Sequence, residues 1–307
     1  MTLIITSCTN RKRKPVELRL TASALASGDL LSVSEQWGDR LNAASIEYPA
    51  SEVYGGRGFQ EARLAAKELG GEMLIVSAGL GTVEASEPIP SYACTVQRNA
   101  QDSIAARVET GFSNPAWWAR LAAVSPYHRD LCSALDATEG LILAALSEAY
   151  LDLITDDLLR SGGGGFAQLR IFTRTPASRL PQELRGNVMP YDDRLDGPDS
   201  PLRGARSDFA QRALRHFAER IMPSWAGASA KEHAEAVKGA LRDWRYPQSV
   251  ERSRLDDDEI VKLLEEHWDA AGGSSTKLLR LFRDDLKVAC EQGRFAMLAR
   301  QVRAERS

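Results

Sequence analysis

Apolar positions fall into short, nearly unbroken runs in the first two thirds of the chain and into wider-spaced stripes elsewhere. Residues 3–6, 73–76, 141–146 and 167–173 are aliphatic and β-branched runs bounded by polar or glycine-containing segments, and each predicts a buried strand. Residues 187–189 predict a short fifth strand. Between these runs apolar residues recur three and four apart. Residues 18–44 carry Trp37 and Leu41 at that spacing, and residues 60–69, 95–108, 115–124, 148–160 and 207–220 predict further helices. Ser207 as a cap and Asp208 in the first turn mark the start of the last of them. Strands alternating with helices predict an α/β domain with a mainly parallel sheet and flanking helices.

After Ser224 the strand-like runs stop and charge-rich helical patterns continue. This predicts an α/β domain over residues 1–223 and a small helical module over residues 224–307. In that module residues 256–268 and 275–290 read as two helices around the Gly272-Gly273 turn. The second has Leu278, Leu281, Phe282 and Leu286 on its apolar face, with Lys277, Arg280 and Lys287 on another and Arg283 close by. Residues 274–307 hold eight basic and four acidic side chains, a local basic excess in a chain of net charge −3. Helix, glycine turn and basic second helix form the pattern of helix-turn-helix and winged-helix DNA readers. The alternative is a solvated bundle.

Composition narrows the chemistry. An apolar content of 43% and a charged content of 26% over 307 residues suit a globular protein with a sizeable core. The segment 1–10 is too short and polar for a signal peptide, and no apolar run approaches a membrane span, so a cytoplasmic protein without membrane contact is expected. Cys8, Cys94, Cys132 and Cys290 show no metal-ligand spacing, and His128, His216, His233 and His267 form no paired motif. No metal and no cofactor is therefore expected. The glycine run 161–165 lacks the Lys-Ser/Thr of a phosphate-cradling loop and reads as a hinge. The aspartates at 192, 193, 196 and 199 lack the closing Glu of a calcium loop. Cys8 has no histidine partner evident in sequence, and no nucleophile-elbow motif is present.

The densest chemistry sits at strand ends, where open α/β sheets gather their ligands. Ser7, Cys8 and Asn10 follow the first strand, Ser77, Gly79 and Gly81 the second, Ser147 and Tyr150 the third. Segment 74–92 adds Glu87, held by the proline after it, and Tyr92. Tyr54 opens the glycine-rich turn 54–59. Together these outline a pocket in which Tyr54 and Tyr92 stack a base, Glu87 is the leading acid, Asp152 and Glu148 are reserves, and Lys12, Arg57 and Arg63 hold phosphates.

The order of motifs, S-A-G-L-G-x-V-x-x-x-E-x-I-P-x-Y after one strand and S-x-x-Y after a later one, resembles the YaaA-type peroxide-stress family. The likeness spans roughly the first 220 residues. It implies DNA binding, a positively charged cleft and a link to DNA repair, and related proteins look like DNA glycosylases acting on modified phage bases. The chain departs from the family at Ser147-Glu148-Ala149-Tyr150, where the acid stands one position earlier. Sugar–base cleavage passes through a cation-like state that a carboxylate stabilises, with the base taken out of the stack. The expectation is a DNA-directed N-glycosidic hydrolase excising a modified base from duplex DNA, in defence or repair. A non-catalytic DNA-binding repair accessory protein and a hydrolase or transferase of free nucleotides or nucleosides are the alternatives.

Overall fold

The fold is known from a computed structural model that describes residues 1–161, 165–248 and 252–306. The central part of the glycine run, residues 162–164, lies outside the described residues. The chain divides into two compact units, Met1–Pro247 and Gln248–Ser307.

The first unit is built on a five-stranded sheet of β1 (Leu3–Ser7), β2 (Glu72–Ser77), β3 (Gly81–Glu84), β4 (Ile142–Ala145) and β5 (Leu169–Phe172). The spatial order is β3-β2-β1-β4-β5, parallel throughout except for the β2–β3 pair. Leu3 lies opposite both Glu72 and Ile142, and Ile142 lies opposite Leu169. The parallel strands are apolar residue after residue because both faces of such a sheet are covered. Ile4, Ile5, Ile75, Val76, Leu143 and Ala144 are fully buried. The helices of eight or more residues in this unit are α1 (Leu30–Asn42), α2 (Arg57–Leu69), α3 (Asn114–Val124), α4 (Glu148–Arg160), α5 (Phe209–His216) and α6 (Ala230–Ala240). α2 and α5 pack together against the sheet, while α1, α3 and α4 pack in series.

Several expectations are corrected. The fifth strand of the sheet is β3, not residues 187–189. Val188 makes a single bridge to Ile171 and goes no further. Residues 18–44 form a helix only from Leu30, where the Asp29 carboxylate accepts the Ser32 amide at 2.8 Å. Residues 95–108 are bends with one 3-10 turn, Ile104–Ala106, because Thr95 bridges to Ser103 and folds the segment back. The boundary lies at residue 247 rather than 223. α6 belongs to the first unit, with His233, Val237 and Leu241 in its core.

The second unit contains β6 (Ser253–Arg254), α7 (Asp257–His267), α8 (Ser275–Asp284), β7 (Val288–Ala289) and α9 (Gln292–Glu305). β6 and β7 pair in parallel. Ile260, Leu264, Leu278, Phe282, Phe295 and Val302 make its separate core. α8 stops six residues before the expected Cys290 because Lys287 turns to a φ of 55°. Lys287 thus leaves the helix and donates to the Asp284 carbonyl, while Arg283 is half-buried and reaches the Cys290 carbonyl at 3.4 Å. Lys277 and Arg280 stay exposed on α8. Among the described residues no helix is long and apolar enough to cross a membrane.

Candidate functional site

β1 runs to β2 on one side of itself, and the chain later returns to lay β4 on the other side. This reversal opens a crevice at the carboxyl ends of β1 and β4, the position where open α/β sheets bind ligands. A cleft of about 560 Å³ lies there. Residues 7–11 after β1, residues 55–59 at the start of α2, residues 146–148 and Tyr150 after β4, Arg174 and Thr175 after β5, and residues 206–211 around the start of α5 line it.

The cleft is a place where helices begin. Six of the nine helices α1–α9 have an N-cap side chain that accepts from the first turn: Asp29, Ser113, Ser229, Asp256, Ser274 and Glu291. The other three, α2, α4 and α5, are capped by Gly56, Ser147 and Asp208 with no side-chain cap hydrogen bond. All three of those residues line the cleft. Gly56 has a φ of 94°, which only glycine adopts without strain, so the chain enters α2 with bare backbone toward the cleft. Asp208 does not cap because its carboxylate is taken by Arg212 at 2.6 Å. The starts of α2 and α4 therefore present N–H donors and the positive end of the helix dipole, which together favour an anion, whereas α5 continues the 3-10 turn Arg206–Asp208 and its Phe209 amide already donates to the Arg206 carbonyl.

Four arginines line the same space. Arg11 and Arg206 are exposed and have no carboxylate partner among the described residues. Arg57 pairs with Glu61 at 3.0 Å, and Arg174 pairs with Asp193 and Asp196 while lying over the Phe209 ring at 4.9 Å. On the floor, the Gln211 amide nitrogen donates to Thr6 Oγ1 at 3.3 Å and to the Ala145 carbonyl at 3.1 Å, tying the ends of β1 and β4 together. Gln211 Oε1 is buried beside Gly58 without a hydrogen-bond partner among the described residues, an unpaired acceptor beneath the cleft. Asp208 is 7% exposed and is held by the fully buried Arg212, which also pairs with Asp196 at 2.8 Å. Cys8 Sγ lies 3.1 Å from the Tyr150 hydroxyl, and burial raises that phenol well above its ordinary value.

Of the residues singled out in sequence, Ser7, Cys8, Asn10, Arg57, Ser147, Glu148 and Tyr150 come together here. Glu87 does not. β3 returns antiparallel from Ser77↔Gly81 to Leu74↔Glu84, so Glu87 emerges at the opposite end of the sheet from the cleft. There it accepts from the Glu84 amide at 3.3 Å and pairs with Arg129 at 3.2 Å. Pro88–Ile89 is a short strand paired with Tyr48–Pro49. Asp152 is exposed on α4 and Arg63 on α2, and neither lines the cleft.

Ser77, Tyr92 and Tyr54 form a closed interior network rather than a stacking platform. The two phenol oxygens lie 3.0 Å apart, Tyr92 also shares a hydrogen bond with Ser77, and all three residues are fully buried. Burial drives both phenols well above their ordinary range. Gly79 is small because the Tyr92 ring lies against it, and Gly81, at a φ of 87°, makes the turn beside His128. Lys12 lies over the rings of Tyr92 and Tyr54, at 4.5 and 5.3 Å from their centroids, rather than on the rim of the cleft.

The floor residues Asp208 and Gln211 are missed by local pattern reading. Their signal is a polar pair, Gln211-Arg212, standing inside the apolar stripe of a helix and fully or almost fully buried. Among the described residues no cluster of side chains could hold a metal ion. Compared with known proteins, the chain matches no family model, no curated protein and no solved structure.

Proposed function

We propose that the cleft takes one nucleotide of a DNA strand, and that the protein hydrolyses the N-glycosidic bond of a modified base there. The observation that carries the nucleotide is the convergence of the uncapped starts of α2 and α4 and four arginines on one crevice. A volume of about 560 Å³ suits one nucleotide unit.

Glu87 and Asp152 lie elsewhere, so the acid in this reading is Asp208, with Glu148 on the rim as the other carboxylate of the cleft. The Arg212 guanidinium donates to the Asp208 carboxylate at 2.6 Å and holds it in place, which suits a group that stabilises the cationic sugar. The C1′–N bond breaks, water adds its oxygen to C1′, and the water proton leaves with the base.

The second unit supplies duplex affinity as a helix-turn-helix or winged-helix-like module. α7 and α8 are joined through Gly272 and Gly273, both at positive φ, the β6–β7 pair flanks them, and Lys277 and Arg280 are exposed on α8. The full-length protein is incubated with plain and modified-base duplexes, and abasic sites are counted by alkaline cleavage. Sites are expected on modified DNA and lost with Asp208→Asn, whose Arg212 keeps Asp196 as a partner. Absence of abasic sites on every duplex, with release of base from free nucleotides instead, would replace this reading by the hydrolase of free substrate.

A further inference from the structure

Beside the cleft, on the other side of the loop that follows β1, lies a smaller pocket of about 190 Å³. Asn10 lines both spaces. The small pocket is also lined by Lys12, Cys94, Thr95, Gln101 and Asp102. Lys12 is half-buried and forms no ion pair among the described residues. Its amine donates to the Thr9 carbonyl at 2.5 Å and rests over the faces of Tyr92 and Tyr54. Asp102 is occupied by Ser23, whose hydroxyl it accepts at 2.7 Å, and does not form an ion pair with Lys12. The other walls are amide, hydroxyl and carboxylate groups, which suit the hydroxyls of a small sugar.

We propose that Lys12 is an imine-forming amine that captures the aldehyde of a ring-opened pentose in this pocket. The inference rests on the sugar-cleaving reading above, because loss of a base leaves a sugar that opens to the aldehyde. Burial lowers the ammonium from its ordinary value against the opposing influence of Cys8, Cys94 and Asp102, so more of the amine is free near neutrality. The amine nitrogen bonds to C1, the carbonyl oxygen takes up a proton, and the resulting carbinolamine loses water to give the iminium. Asp102, in the same pocket, is placed to receive and return the proton.

The full-length protein is incubated with 2-deoxyribose 5-phosphate and cyanoborohydride, which reduces an iminium to a stable secondary amine, and the labelled lysines are mapped by mass spectrometry. Lys12 is expected to be labelled ahead of every other lysine, because it alone stands in a pocket that admits the sugar and its burial raises the share of free amine. Lys12→Arg, which keeps a cation over the rings, should abolish the adduct without lowering the melting temperature. Labelling spread over the surface lysines, or no adduct, would overturn the inference even if abasic sites form on DNA. Selective labelling of Lys12 with no abasic sites on any duplex would uphold the inference and refute the DNA reading alone.

Discussion

His216 shows how one buried residue sets a pH limit. It is 3% exposed, its Nδ1 lies 2.8 Å from the Tyr191 hydroxyl, and Trp244 packs on its ring. Burial first, and Arg220 second, lower it to about 4. A base held neutral in the fold contributes stability that is complete above its unfolded value of about 6.5 and is lost as pH falls toward 4. The loss is on the order of 3 kcal/mol, at about 1.4 kcal/mol per unit. His233 adds to it in the same direction, because burial first lowers it and the Arg170 guanidinium, which donates to its Nδ1 at 2.8 Å, lowers it further. Thermal melts between pH 7 and 4 should show this fall, flattened in His216→Gln. An equal slope in wild type and variant would remove His216 from the account. Gln211 is the residue to probe for ligand. Gln211→Leu removes both the unpaired acceptor and the tie between β1 and β4, and should weaken nucleotide binding about tenfold in a titration, the worth of one hydrogen bond to a buried partner.

At the scale of elements, the uncapped start of α4 gives a test in which stability and binding move in opposite directions. Ser147→Asp supplies a better capping carboxylate and should stabilise the helix by about 1 kcal/mol, a rise of roughly 2–4 °C in a unit of this size. The same charge faces the cleft and should weaken binding of a nucleotide phosphate at least about tenfold, a loss of roughly 1.4 kcal/mol. If binding is unchanged, the phosphate does not sit at this helix. The elements themselves were largely legible in sequence, since buried parallel strands are continuous apolar runs. β3 was not, because Gly81-Thr82-Val83-Glu84 has one aliphatic residue and takes its pairing from the turn before it. That one omission misplaced Glu87. A loop assumed to stay at the strand ends is in fact carried by a hairpin to the far end of the sheet. Ser7, Asn10 and Ser147 were legible because they directly follow strong strands, whereas Asp208 and Gln211 reach the same place from some 200 residues away, where no local pattern announces it.

For the whole molecule, the division at residue 247 separates a cleft unit from a unit with exposed Lys277 and Arg280. If α8 contacts duplex phosphates, Lys277→Glu with Arg280→Glu in the full chain should lower DNA affinity and flatten its dependence on salt by about two units of log–log slope, one for each phosphate contact. Nucleotide binding in the cleft should be unchanged. A double variant with the wild-type slope would leave the second unit without a role on DNA.

The place of β1 at the centre of the sheet also has a consequence in time. The strand that begins at Leu3 is made before both of its partners, which begin at Glu72 and Ile142, about 65 and 135 residues after it ends. At roughly 5–20 residues per second of synthesis, Leu3-Ile4-Ile5 waits about 3–13 s for its first neighbour and about 7–27 s for its second. Through that interval a sticky segment stays without its sheet neighbours, and the crevice that depends on both of them closes around its end only after Ile142–Ala145 has been made.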